Sequence, residues 1–69
     1  MKTEITISDN IEVFEWHRGD WIIFASTEHE DGRYFGFTKG FGSKANTLKI
    51  ARQWAKLTAA QLRIISQSI

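Results

Sequence analysis

Sixty-nine residues, with no cysteine, no proline and nine Lys+Arg against eight Asp+Glu, are expected to make one domain, 1–69, without a disulfide or a thiolate metal site. The longest apolar run, Trp21 to Ala25, is far short of the roughly 20 residues that span a membrane. The near-neutral balance hides a division: every acid lies in residues 1–31, opposed there only by Lys2 and Arg18, and residues 32–69 carry seven bases and no acid. Such asymmetry points to a nucleic-acid partner or an acidic protein surface, or else to neutralisation within the fold or across a dimer. The charged start Met1-Lys2-Thr3-Glu4 lacks the apolar stretch of a signal peptide, so the expected address is cytoplasmic.

In chain order, 3–8 alternates as a strand, with Ile5 and Ile7 on one side, and Asp9-Asn10 supplies turn chemistry. Residues 11–18 form a second strand, with Phe14 and Trp16 on one face and Ile11 and Val13 on the other. Gly19-Asp20 breaks it and leaves the register open, because loops of two and three residues exchange the facing sets. Residues 21–26, dense in β-formers, make a third strand. Asp31-Gly32 signals a hairpin of type I′, which needs positive φ at both central residues, and 33–38 follows as the fourth strand. Ser43 is available as the cap of a helix over 44–67. On a helical wheel with Leu48 at the origin, Leu57, Ile50, Trp54, Ile65, Ala51, Leu62 and Ala55 fall between roughly 180° and 340°. Arg52, Arg63, Lys56 and Lys49 fall between roughly 40° and 100°. The fold class is therefore α+β, a four-stranded antiparallel meander followed by one long amphipathic helix.

Such a helix is about 36 Å long, whereas four strands make a sheet only about 19 Å wide. The rod must overhang, leaving Leu62, Ile65 and Ile69 uncovered, or bend near Thr58. Both sheet faces also carry large apolar residues, and one helix covers one face. A homodimer or a protein interface through Trp16, Trp21, Leu62, Ile65 and Ile69 follows as an expectation.

Glu28-His29-Glu30-Asp31 superficially resembles a ligand set, but a metal needs three or four ligands converging from a rigid scaffold, and these crowd one loop. Ser26 with His17 or His29 is not selected by any spacing as a nucleophile and base. So small a chain also has little room for a pocket of several hundred Å³. A non-enzyme with no cofactor, no metal and no small-molecule substrate is expected.

Gly32-Arg33-Tyr34-Phe35-Gly36-Phe37-Thr38-Lys39 resembles in part the aromatic strand with which RNA-binding sheets stack bases. Tyr34 replaces the glycine of that motif, Gly40 replaces an aromatic, and the βαββαβ layout is missing, so Phe35 and Phe37 serve better as core under the helix. Lys39-Gly40-Phe41-Gly42-Ser43-Lys44 leading into Ala51-Arg52-Gln53-Trp54-Ala55-Lys56 resembles the last strand and helix of the β-β-β-α DNA-binding domains of tyrosine recombinases and AP2 proteins. That resemblance implies a sheet laid in the major groove, yet the strands here carry Glu12, Glu15 and Asp20. The candidate contacts to nucleic acid or an acidic protein are instead Lys49, Arg52, Lys56 and Arg63, with Arg33 and Lys39. The alternative function is a protein-binding inhibitor of the phage or mobile-element kind, in anti-CRISPR or anti-restriction style, that occludes a nucleic-acid-handling protein.

Overall fold

The computed structural model describes residues 4–28 and 31–68. Four strands, β1 (Glu4–Ser8), β2 (Ile11–His17), β3 (Asp20–Glu28) and β4 (Tyr34–Gly42), are followed by two helices, α1 (Lys44–Trp54) and α2 (Ala59–Gln67). The sheet is an antiparallel meander in the order β1-β2-β3-β4. The fold is thus α+β as expected, with longer third and fourth strands.

The expected single helix is two, and the break has a local cause. Thr58 caps α2 through a reciprocal pair, its hydroxyl accepting from Gln61 N–H at 3.2 Å while Gln61 Oε1 accepts from Thr58 N–H at 2.9 Å. Thr-x-x-Gln is a capping box, readable in the sequence. Upstream, Lys56 N–H and Leu57 N–H donate to the carbonyls of Gln53 and Trp54, tightening α1 to a stop with three-residue bonds. The break cancels the overhang. It turns Leu62 into the core at 1% exposure and packs Ile65 against it, so neither is left bare. Ile69 lies outside the described residues.

Register, open in the sequence, is set by the β2–β3 turn. His17 faces Asp20 across a two-residue connection in which Gly19 takes φ 83°, and a bulge between Glu15 and His17 makes Trp16 the extra residue. Val13 then pairs with Ile23 and Ile11 with Ala25. Ile11, Val13, Trp21, Ile23 and Ala25 all face the helices, where Ala51, Trp54 and Leu62 complete the buried core. Trp21, expected at a protein interface, is core, with Lys44 Nζ 5.4 Å above its ring.

The β3–β4 hairpin is not a type I′ turn. Glu28 pairs with Tyr34, which leaves five residues between them, and of Asp31 and Gly32 only Gly32 has positive φ. Asp31 instead accepts from Arg33 N–H and Nε at 3.1 and 2.8 Å. At the other end of β4 a bulge sets Trp21 against Gly42 and Ile22 against Gly40. That bulge keeps Phe41 on the helix side, 5.6 Å from Trp54 between ring centroids.

Thr58→Ala removes the α2 cap and should cost about 1 kcal/mol, lowering the thermal midpoint by roughly 4–8 °C. Leu62→Ala should cost about 2–5 kcal/mol. Circular dichroism melts check both, and a Leu62→Ala melt equal to wild type would place α2 outside the core.

Candidate functional site

Strand alternation sorts the side chains of the sheet. The helix side takes Ile5, Val13, Ile23, Phe37 and their row-mates, and no described element covers the other side. That open face carries Phe14, Trp16, Ile22, Phe24 and Tyr34, three of them well exposed: Trp16 at 59%, Phe24 at 38% and Tyr34 at 74%. Phe14, Trp16, Ile22 and Thr38 line a shallow apolar depression in it. Phe24 lies flat across Gly36, where a Cβ would come within 2.8 Å of its ring. Gly36 and Gly40 supply no side chain to the face, which leaves these rings prominent. Glu4, Glu12 and Glu28 stand among them, paired across strands with Phe14, Phe24 and Tyr34. Among the described residues no lysine or arginine belongs to this side of the sheet.

The helix side has the opposite sign. Lys49, Arg52 and Lys56 are exposed, and no described acid pairs with them. Arg63 is half-buried, its Nε enclosed without a hydrogen-bond partner among the described residues. The other two candidate cations are engaged elsewhere. Lys39 points to the helix side and donates from Nζ to the carbonyl of Ser68 at 2.8 Å, at the C-terminal end of α2 where a cation is favoured. Arg33 is ion-paired to Asp31 at 2.7 Å. The six expected cations therefore do not form one patch. Among the described residues the acidic and basic halves meet in one ion pair, Asp31–Arg33, two positions apart in the chain.

The sequence division of charge has become a division between faces. The open face takes Glu4, Glu12 and Glu28 from the acidic first half, while Glu15, opposite Trp21, falls on the helix side with the basic tail. A Debye length of about 8 Å at physiological ionic strength is shorter than the roughly 10 Å between packed layers, so each face presents its own sign to a partner.

A cleft of about 490 Å³, larger than expected for so short a chain, opens between β4 and the helices and is lined by Phe41, Ile50, Trp54 and Ile65 with Lys39 at its rim. Phe35 and Phe37 stack at 6.2 Å, and Phe37 lies 5.6 Å from Trp54, so the base-stacking strand is spent on the core. Glu28 and Asp31 flank the hairpin loop whose His29 and Glu30 lie outside the described residues. Sequence reasoning missed Phe24 and Tyr34 as members of the open face; their even spacing was visible, and the register that assigns the face was not. No family model matches the chain, and no curated protein or solved structure is measurably similar to it.

Trp16→Ala should leave stability within about 0.5 kcal/mol, because that side chain is 59% exposed and lies outside the buried core. Trp54→Ala should cost about 3–5 kcal/mol, a large part of the total of roughly 3–10 kcal/mol for a domain of this size. Urea unfolding of the two variants measures the contrast. Equal losses would make the open face part of the fold rather than a surface held for a partner.

Proposed function

We propose that this chain is a non-enzymatic binding module whose open sheet face seats on a protein, covering an apolar patch rimmed by lysine or arginine. One observation carries the reading: Trp16, Phe24 and Tyr34 stand exposed on a face that holds three glutamates and to which the described strands contribute no lysine or arginine. Tryptophan and tyrosine are the residues that most often anchor interfaces, and an exposed aromatic patch left by the fold needs a reason. The glutamates decide the sign. They repel phosphate backbones and the same face of another copy, and they steer the module to a basic surface. Basic surfaces with apolar content are typical of proteins that handle nucleic acid, which favours an occluding inhibitor of the kind carried by phages and mobile elements.

A second reading, nucleic-acid binding by the helices, is supported by Lys49, Arg52 and Lys56, exposed and unopposed. Three phosphate contacts give a salt slope of about −2.7, hence weak and largely sequence-blind affinity.

The two readings separate by salt and by mutation. Protein captured from a lysate in high salt should be lost by Trp16→Ala and Phe24→Ala. For the purified partner, Trp16→Ala should raise Kd by about 30-fold or more, the 2 kcal/mol of an interface anchor. Capture that survives both substitutions but fails in a Lys49→Ala, Arg52→Ala, Lys56→Ala triple variant would overturn the sheet-face reading. Fluorescence anisotropy with labelled DNA and RNA at 50 and 200 mM salt tests the helix reading.

A further inference from the structure

The sheet has two edges, and they are unequally defended. Among the described residues β1 has five, carries Glu4 and is bulged between Thr6 and Ser8, features that discourage pairing with another strand. β4 has nine residues, regular from Tyr34 to Gly40 with a bulge at Phe41, and its single charge, Lys39, is turned to the helix side and held by Ser68. Among the described residues no backbone outside β3 bonds to β4, and the one side chain that reaches its carbonyls is Asn46, on Phe41 at 3.1 Å. A long strand edge of this kind is a template for pairing.

The residues of β4 say with what. About Thr38 the strand Tyr34–Gly42 is palindromic at two of its four pairs: Phe35 answers Phe41 and Gly36 answers Gly40, while Phe37 stands opposite Lys39 and Tyr34 opposite Gly42. We propose that β4 pairs antiparallel with β4 of a second copy, about a two-fold axis through Thr38. In that register Phe35 meets the partner's Phe41, Gly36 the partner's Gly40, Phe37 the partner's Lys39, and Thr38 its own counterpart. Aromatic and threonine pairs across strands are stabilising, and a lysine set against an aromatic ring is favoured where a lysine set against a lysine is not. Moving the axis to Lys39 would oppose the two lysines; moving it toward Phe37 shortens the overlap. Because opposed positions share parity, the helices of both copies fall on one side and the open faces join on the other. The interface is isologous and closes at two chains.

Pairing also answers a problem of size. One open face measures roughly 20 by 25 Å, about 500 Å², below the roughly 800 Å² per partner of a stable interface; two joined faces exceed it. This inference stands on the edge of β4 alone and survives if the open face binds nothing.

Light scattering at 10–100 μM should give twice the 8.0 kDa of the chain. Thr38→Lys and Thr38→Glu, at an exposed site, should each be monomeric with unchanged circular dichroism, their dimer Kd raised at least tenfold, and mixing the two should restore the dimer. Thr6→Lys on the other edge and Trp16→Ala on the open face should remain dimeric. The chain has no cysteine, so Thr38→Cys under mild oxidation should give a disulfide-linked dimer and Thr6→Cys should not. A wild-type monomer throughout that range overturns the proposal. So does a dimer indifferent to both Thr38 charges, one abolished by Trp16→Ala, or the absence of the Thr38→Cys cross-link.

Discussion

Trp54 sits between Phe37 and Phe41, 5.6 Å from each ring, and that contact fixes which side of the sheet is inside. Once the last residues of α1 are seated on β4, alternation commits Phe35, Phe37 and Lys39 to the core side and Tyr34, Gly36, Thr38 and Gly40 to the other. The choice passes from strand to strand through the paired residues, Lys39 to Ile23 to Val13 to Ile5. A one-residue slip at any step would exchange the two sets. The exposed position of Trp16, Phe24 and Tyr34 is therefore a consequence of where Trp54 packs.

The capping box at Thr58 is the second constraint. A straight helix over the same residues would run past the sheet and strand its distal apolar residues. The break between Trp54 and Ala59 folds α2 back, so Leu62 and Ile65 cover the same side that α1 covers. Both helices are used on one layer, and no described element covers the other. An open, aromatic and acidic face is what a chain of this length leaves when its whole helical content is spent on one side.

Charge follows the chain order. Strands come first and carry the acids; helices come last and carry the bases. Since the meander exposes the strands' outer face and the helices cover the inner one, the separation along the sequence becomes a separation across the molecule. This geometry gives a protein partner and a polyanion different faces to meet, and it makes face-to-face self-association unfavourable while leaving the edge of β4 available.

Much of this was legible beforehand for identifiable reasons. The four strands follow from β-branched and aromatic runs divided by Asp9-Asn10, Gly19 and Gly32, and the helical tail follows from its propensities and apolar stripe. The exposure of Lys49, Arg52 and Lys56 was visible on the wheel. The break at Thr58 was written in Thr-x-x-Gln but outweighed by a periodicity that continues through it. The fates of Trp21, Leu62, Lys39 and Arg33 were not legible, since each depends on a neighbour distant in sequence or on a turn whose geometry local chemistry left open. By itself the sequence determined which segments are strands or helices and where each sign of charge lies, because propensity, turn chemistry and composition are local. Only the tertiary structure decided which aromatic rings are core and which are surface, because that depends on the register set at the β2–β3 turn and on the side of β4 against which Trp54 packs.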